Sequence, residues 1–319
     1  MFLASWAFVP ICVLPILYLL RRWCNGGVCH NRRRLDGKTV VITGANTGIG
    51  KETAIEIARR GATVVMVCRD FDRGTSALNE VKERSGNSNV FLKLLDLSSL
   101  EAVKNFSKYF VEEFNALHVL INNAAVAVCP YSKTRDGFEM QFGVNHLSHF
   151  ALTNLLLPLM AKSAPSRVIN VSSRFSQHSM ADIRLDDINS EKSYSPYKAY
   201  CQSKLANVLF TKELNKKLTG SGITTYSLHP GVALTECGRH ANILFQYFTA
   251  MISPFVLKTP SQAAQTTIYC TVQEGIENLS GKYFVDCEVQ ETQYRSNDEG
   301  LAKELWELSE EMTGVKCPL

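Results

Sequence analysis

The ten cysteines of this 319-residue chain are scattered, and no two of them form a Cys-x-x-Cys pair. This spacing excludes the disulfide framework of a small secreted protein and a cysteine-rich zinc site, so we expect reduced thiols and no metal. The chain also lacks a strong excess of one charge, because 34 Lys+Arg stand against 30 Asp+Glu. Five arginines lie within residues 1–34, which contain no acid, and the rest of the chain is nearly neutral. A nucleic-acid-binding protein would carry a basic face on its folded part, and none is evident.

Charge is absent altogether from residues 2–20, FLASWAFVPICVLPILYLL. At ~1.5 Å per residue this run reaches about 28 Å, close to the thickness of a bilayer core. We therefore expect residues 1–24 to be a hydrophobic membrane anchor with a basic flank. Pro10 and Pro15 would kink a spanning helix, so an anchor lying in the interface is also open. Arginines follow the run but none precedes it, which favours a cytosolic body and argues against the alternative, a cleaved signal peptide.

Beyond a polar linker at residues 25–36, short apolar runs alternate with helix-period segments such as 51–61 and 100–114. The seven apolar runs are residues 39–43, 63–68, 90–95, 118–122, 167–173, 223–228 and, more weakly, 282–286. Continuous runs of this kind are typical of strands buried on both faces of a parallel sheet. The alternation predicts an α/β single-domain Rossmann fold with a doubly wound, seven-stranded parallel sheet over residues 37–315.

A glycine-rich loop follows the first predicted strand. Its candidate cofactor-binding residues are Gly44, Asn46, Thr47, Gly48, Ile49 and Gly50. Glycines allow a tight turn and close approach to a pyrophosphate, and the helix that follows offers free N–H groups and a partial positive charge. An ordinary strand-to-helix turn is the alternative, but the surrounding alternation of strands and helices favours a nucleotide site.

Tyr200 and Lys204 stand four residues apart, which puts both side chains on one face of a helix. A free tyrosine has a pKa near ~10 and is a poor base at neutral pH. A lysine ammonium one turn away favours the phenolate, so Tyr200 could donate and accept a proton near neutral pH. On its own, the pair is also compatible with a solvated helix face.

The glycine spacing Gly-x-x-x-Gly-x-Gly, together with the Tyr-x-x-x-Lys pair, resembles the short-chain dehydrogenase/reductase superfamily. The catalytic residues implied by this resemblance are Tyr200, Lys204, Ser173 and Asn145. Ser173 would also bind substrate by hydrogen-bonding its oxygen, and Asn145 would hold a water in the proton relay. Ser172 stays open as the alternative to Ser173.

The resemblance assigns further residues to the cofactor. They are Asp96 and Leu97 at the adenine, Asn123 and Ala124 after the fourth strand, Pro230, Gly231 and Thr235 at the nicotinamide carboxamide, and Tyr200 and Lys204, with Lys204 also at the nicotinamide ribose. Ala125 departs from the family pattern Asn-Asn-Ala-Gly and adds a methyl group where the backbone passes the cofactor.

The end of the second predicted strand, Val67-Cys68-Arg69-Asp70, bears on the choice of cofactor. Enzymes that use NAD place an acid there for the ribose 2′-OH, whereas an arginine accommodates the 2′-phosphate of NADP. Arg69 has the planar, permanently charged group suited to phosphate. We therefore predict NADP(H), with pairing of Asp70 and Arg69 as the alternative use of that arginine.

The whole chain resembles the microsomal retinol dehydrogenases. The segments that carry the resemblance include GKTVVITGANTGIGKETA (37–54), CPYSKTRDGFEMQFGVNHLSHF (129–150), TTYSLHPG (224–231) and KTPSQAAQT (258–266). This branch implies NADP(H)-dependent interconversion of retinol and retinal at the endoplasmic reticulum membrane, with reduction of retinal in a reducing cytosol. The apolar residues 243–256 are expected to cover a small lipophilic substrate, unless they pack on the core.

One segment, RFSQHSMADI at residues 174–183, departs from the histidine-glycine stretch usual in that branch. It borders the expected substrate mouth, so a membrane-bound reductase of steroids or lipid-derived aldehydes is an alternative function. A non-catalytic NADP-binding scaffold is a more remote one. The expected partners are the membrane and a retinoid substrate but no nucleic acid, and a homodimer is left open.

Overall fold

The structure, a computed structural model, describes residues 25–231 and 257–319. The expected anchor at residues 1–24, the candidate cofactor residue Thr235 and the apolar segment 243–256 lie outside the described residues. Within the described ranges, no helix is both long and apolar enough to cross a membrane.

The strands form one sheet in the order β3-β2-β1-β4-β5-β6-β7-β8. Their bounds are β1 Thr39–Thr43, β2 Thr63–Cys68, β3 Val90–Leu94, β4 Val119–Asn122, β5 Ser166–Val171, β6 Ile223–His229, β7 Tyr283–Val285 and β8 Glu288–Gln290. All neighbouring pairs from β3 to β7 are parallel, as the continuous apolar runs predict.

Helices connect the strands and cover the sheet. Their bounds are α1 Gly48–Arg59, α2 Phe71–Ser85, α3 Leu100–Glu113, α4 Met140–Phe142, α5 Ser148–Lys162, α6 Pro196–Lys217, α7 Pro260–Ala263, α8 Gln265–Val272 and α9 Glu299–Thr313. A π-helical turn, Gly143–Leu147, joins α4 to α5, and short 3₁₀ turns occupy Arg174–Gln177, Leu185–Asp187, Glu277–Leu279 and Tyr294–Asn297.

Alternating side chains of the inner strands enter two separate hydrophobic cores. Val40 and Ile42 of β1 pack in one core with α1, α2 and α8, whereas Val41 packs in the other with α3, α5 and α6. All three of these β1 side chains are completely buried. A strand with apolar residues on both faces requires helices on both sides of the sheet, which is the doubly wound arrangement.

The sheet has eight strands, so the prediction of seven is wrong by one. The additional strand, β8, pairs antiparallel with β7 through a tight turn in which Asp286 and Cys287 have φ values of 52° and 66°. The sequence signal was weak because β8 has three exposed residues and no apolar run. The turn also lacks the Asn-Gly or Asp-Gly pair that marks most two-residue hairpins.

The segment predicted as a polar linker, residues 25–36, lies against the folded body. The N–H of Cys29 donates to Oε1 of Gln265 at 3.1 Å. Leu35 is buried, and its N–H donates to the carbonyl of Arg60 at 2.8 Å. The described part of the chain therefore enters the fold beside α8 and the end of α1.

The strand order reverses between β1 and β4, since the chain adds β2 and β3 on one side of β1 and then crosses to β4 on the other. At such a switch point the connections leave the sheet in opposite directions and open a crevice at the carboxyl ends of the strands. The glycine loop follows β1 at this edge, and Asn123 and Ala124 follow β4.

Candidate active site

The glycine loop is closed tightly against the end of β4. Gly44 has a φ of 65°, and a Cβ placed there would lie 2.9 Å from the Cα of Ala124. A Cβ on Gly50 would lie 2.3 Å from the carbonyl oxygen of Gly44. Side chains at these two positions would therefore collide with backbone, so the loop needs glycine there.

The helix that follows the loop presents an uncapped N-terminus. Thr47 occupies the N-cap position of α1 without a side-chain hydrogen bond to the first turn, and that turn contains no acidic residue. Asn46, Gly48 and Ile49 beside it are half-buried. Free N–H groups and the positive end of the helix dipole suit a pyrophosphate, so this cradle fits a dinucleotide.

Thr43 and Asn123 hold the loop in this position. The Thr43 Oγ1 accepts hydrogen bonds from the backbone N–H groups of Asn123 and Ala124, at 2.9 and 3.0 Å. The Asn123 side-chain amide in turn donates to the Thr43 carbonyl at 2.8 Å. Asn123 and Ala124, which are predicted to bind the cofactor, thus lie directly against the glycine loop. The side-chain amide of Asn123 is hydrogen-bonded to the backbone at the start of that loop.

The Tyr200–Lys204 pair lies on the first turns of α6, a helix that begins with Pro196 in its first turn. The Lys204 Nζ is 5.7 Å from the centre of the Tyr200 ring. Lys204 is only 2% exposed, and its Nζ donates to the carbonyl of Val171, the last residue of β5, at 3.0 Å. A buried ammonium held beneath a phenol is not the solvated helix face that the spacing alone also allowed.

Ser172 and Ser173 follow β5 and have different partners. The Ser172 Oγ donates to the carbonyl of Lys204 at 2.7 Å, which ties it to the α6 backbone. The Ser173 Oγ accepts a hydrogen bond from the N–H of Phe175 at 3.3 Å, and this leaves its own proton for another acceptor. The geometry therefore favours Ser173 over Ser172 as the serine that meets substrate.

Asn145 lies in the π-helical turn and is completely buried. Its side chain bonds both backbone groups of Val126, with Oδ1 accepting at 2.8 Å and Nδ2 donating at 2.9 Å. The Nδ2 also lies 3.0 Å from the Oγ of Ser203, which itself donates to the carbonyl of Tyr200 at 2.9 Å. Asn145 thus joins the loop after β4 to the turn that carries Tyr200 and Lys204.

Arg69 and Asp70 follow β2 and do not pair with each other. The Asp70 carboxylate caps α2 by accepting from the N–H of Arg73 at 2.9 Å. Arg69 is exposed and makes no ion pair among the residues that the structure describes. Its guanidinium is consequently accessible to a ligand at the carboxyl end of β2.

The predicted adenine residues lie in the short segment between β3 and α3. The Asp96 Oδ1 accepts from the N–H and the hydroxyl of Ser98, at 3.0 and 2.8 Å, and its Oδ2 lies 3.4 Å from Arg135. Leu97 is buried, and its carbonyl accepts from the Ser148 hydroxyl. Both residues lie close behind β3 in the chain, at the same edge of the sheet as Arg69.

Two buried histidines support the site, and no motif in the sequence predicts either of them. His229 ends β6 before Pro230 and Gly231, and its Nδ1 accepts from the N–H of Arg174 at 3.1 Å. Burial lowers the pKa of His229 to about 4, so the ring is neutral at neutral pH. His229 thus links the predicted nicotinamide loop to the segment that follows Ser173. His149 lies on the other side of the site, between Thr43 and Asn145.

An exposed phenylalanine lies beside the candidate proton donor. Phe175 is 39% exposed, and its ring centre lies 5.8 Å from that of Tyr200 in an edge-to-face arrangement. It belongs to the 3₁₀ turn Arg174–Gln177, which packs against α6. An exposed aromatic ring beside the candidate proton donor provides an apolar surface where a substrate would lie.

The fold combines a dinucleotide cradle at the switch point of a doubly wound sheet with a tyrosine above a buried lysine. These features together indicate a nucleotide-dependent oxidoreductase. The family comparison agrees, because the sequence model described as short chain dehydrogenase matches residues 38–243. The chain belongs to this family, which confirms the resemblance drawn from its motifs and implies a nicotinamide cofactor.

Known proteins similar to the chain include two curated relatives and one solved structure. Mouse retinol dehydrogenase 11 is 48% identical, over 97% of this chain and 98% of its own length. Human retinol dehydrogenase 12 is 50% identical, over 93% of each chain. The crystal structure of an uncharacterized protein from Mycobacterium paratuberculosis is 37% identical with a TM-score of 0.74, over 92% of this chain and all of that one.

Proposed function

We propose that this protein is an NADP(H)-dependent oxidoreductase that interconverts retinol and retinal, with retinal reduction as its cellular direction. The observation that carries the proposal is the buried Lys204 ammonium held 5.7 Å from the Tyr200 ring. Support for the substrate comes from the relatives named retinol dehydrogenase, which align over nearly the full length of both chains.

Each catalytic side chain has a defined task in this proposal, and Lys204 also holds the nicotinamide ribose. A nicotinamide cofactor held by the glycine loop would supply or accept the hydride. The Ser173 hydroxyl donates a hydrogen bond to the substrate carbonyl oxygen, because a carbonyl only accepts and the contact with the Phe175 N–H does not use the hydroxyl proton. Tyr200 delivers the proton to the same oxygen, and Lys204 stabilises the phenolate that remains. Asn145 is proposed to hold a water of the proton relay, and its bond to Ser203 also fixes the turn of α6 that carries the tyrosine.

We assign NADP(H) rather than NAD(H) because of Arg69. A 2′-phosphate needs a cation at the end of β2, and the exposed Arg69 offers one. Asp70 does not compete for it, because its carboxylate caps α2. The remaining predicted cofactor residues, including Asp96, Leu97, Pro230, Gly231 and the undescribed Thr235, belong to the same proposal.

We further propose that residues 1–24 anchor the enzyme to the endoplasmic reticulum membrane with its catalytic domain, residues 37–315, in the cytosol. A lipophilic substrate would then reach the Phe175 side of the crevice from the bilayer. A homodimer stays a prediction. Deleting residues 1–24 should move the protein from the membrane pellet to the supernatant, and protease added to intact microsomes should digest the full-length body. Protection from that protease would place the body in the lumen and contradict the orientation.

The activity is tested with purified protein, NADPH or NADH, and a panel of retinal, a steroid ketone and medium-chain aldehydes. The proposal predicts that retinal has the highest kcat/KM and that NADPH is preferred. Faster reduction of the ketone or of saturated aldehydes would favour the alternative, a membrane-bound reductase of steroids or lipid-derived aldehydes. Binding of NADPH without turnover of any substrate would favour the scaffold function.

A further inference from the structure

His149 bridges two parts of the site from inside the protein. It lies on α5, one turn beyond Asn145, and is only 1% exposed. Its Nε2 lies 2.9 Å from the Oγ1 of Thr43, and its Nδ1 lies 3.0 Å from the carbonyl oxygen of Asn145. Both ring nitrogens therefore have a partner, and the two partners belong to different functional segments.

The partners fix which nitrogen carries the proton. A carbonyl oxygen only accepts, so Nδ1 of His149 must donate to Asn145 and Nε2 must accept. Thr43 can supply the matching proton, because its oxygen already accepts two backbone N–H groups, while the competing Ile121 carbonyl is farther away, at 3.4 Å. Burial, together with the charge of Lys204, lowers the pKa of His149 to about 4, so the ring is neutral.

One arm of this bridge reaches the nucleotide cradle. Thr43 is the last residue of β1, and its hydroxyl holds the backbone of Asn123 and Ala124 against the glycine loop. Gly44 follows it directly, with space so tight that a Cβ would touch Ala124. A change in the orientation of the Thr43 hydroxyl would therefore move the walls of the cradle.

The other arm reaches the Tyr-Lys turn. The Asn145 carbonyl accepts from His149, while the side chain of the same residue bonds Ser203. Ser203 in turn donates to the Tyr200 carbonyl and precedes Lys204 in α6. His149 is thus linked to Tyr200, the proposed proton donor, by hydrogen bonds to the backbone and from the side chain of Asn145 and by a third from Ser203.

We propose that His149 is a positioning residue that aligns the nucleotide cradle with the Tyr200–Lys204 turn, through one hydrogen bond to Thr43 and one to Asn145. It touches neither substrate nor cofactor and acts through Thr43 and Asn145. This inference rests on the proposed oxidoreductase function. The two hydrogen bonds of His149 can nevertheless be tested separately. The arm to Thr43 controls cofactor affinity, and the arm to Asn145 controls the rate of the chemical step.

Two substitutions cut one arm each. Asparagine places its amide nitrogen near the position of Nδ1, so His149→Asn keeps the donor to Asn145 and loses the acceptor for Thr43. Glutamine reaches the position of Nε2, so His149→Gln keeps the contact with Thr43 and loses the donor to Asn145. A buried hydrogen bond left half-made typically costs about tenfold or more in the property that depends on it.

The measurements are the Kd for NADPH by fluorescence, kcat at saturating NADPH and substrate, and the Tm of the full-length enzyme. His149→Asn should raise the Kd about tenfold while kcat stays within about twofold, and His149→Gln should lower kcat about tenfold while the Kd stays within about twofold. Parallel losses of affinity and rate in both variants, in step with the Tm, would show a merely structural histidine and overturn the proposal. Values like those of the wild type would also overturn it.

His146→Gln is the matched control, because His146 is equally buried on the neighbouring turn but bonds Ser309, at 2.9 Å, on the distant α9. This variant should lower the Tm, and it should not change the Kd for NADPH and kcat by different factors. If either His149 variant fails to fold, Thr43→Val tests the Thr43 arm. It should raise the Kd for NADPH more than it lowers kcat, and the reverse ranking would overturn the proposal. A wild-type protein that binds NADPH but turns over no substrate would refute the proposed function, while the affinities would still test the Thr43 arm.

Discussion

Replacing Arg69 by alanine should weaken the binding of NADPH and leave the binding of NADH almost unchanged. The side chain is exposed and in no ion pair among the described residues, so its loss should leave the free energy of unfolding almost unchanged. A charge-assisted hydrogen bond to a phosphate contributes about 1.5–3 kcal/mol. Loss of that bond should raise the Kd for NADPH by roughly 10- to 150-fold, since about 1.4 kcal/mol corresponds to a factor of ten. The Kd for NADH, which has no 2′-phosphate, should change little.

The assay is a titration of each cofactor by fluorescence, with Lys82→Ala as the control. Lys82 lies in the last turn of α2, the helix that follows Arg69, so this variant removes the same charge from the far end of the helix. It should leave both affinities as they are. Equal losses for NADPH and NADH in Arg69→Ala would mean that Arg69 shapes the loop rather than selecting the phosphate, and the reasoning from its exposure and from the capping role of Asp70 would be refuted.

Two further predictions concern the interior of the site. Lys204→Ala should abolish turnover and weaken NADPH binding, because the ammonium is proposed to serve both Tyr200 and the nicotinamide ribose; an unchanged Kd would count against the second role. Acid should destabilise the fold between about pH 6.5 and 4. In this range the unfolded chain protonates its histidines, whereas the folded protein keeps His229 neutral because its pKa is about 4. The charged groups that face His229 are Arg174, Lys258 and Asp286. For His229 alone that gap corresponds to about 3 kcal/mol, gained as the pH rises and measured by urea unfolding against pH. Because burial also lowers the pKa of His149 to about 4, His229→Gln should reduce the slope without abolishing it.

The parallel part of the fold could be predicted because each strand carries its own signal. Runs such as residues 39–43 and 63–68 are continuous and apolar, and they coincide with β1 and β2 as observed. The hairpin strand β8 had no such signal, because its three residues are exposed and are fixed only by pairing with β7. The pattern of apolar residues indicates which strands are buried, so it does not predict a strand that is held by backbone pairing alone.

The candidate site likewise has a part that the sequence predicts and a part that only the folded structure shows. Tyr200 and Lys204 could be paired from their spacing because both lie on one helix. The contact between His149 and Thr43 spans 106 residues, and that between His229 and Arg174 spans 55, so only the folded chain reveals them. The choice between Ser172 and Ser173 likewise depends on partners in α6 and in the following turn, which the strand pattern does not encode.

The most direct test of the central claim is retinal reduction by the wild type and by Tyr200→Phe, measured as retinol formed with NADPH. The variant keeps the ring above Lys204 and loses only the proton donor. General acid catalysis contributes about 10²- to 10⁴-fold, so kcat should fall by that factor while the Kd for NADPH stays within about twofold. A variant that reduces retinal at a rate near that of the wild type, or a wild type that reduces none, would contradict the account.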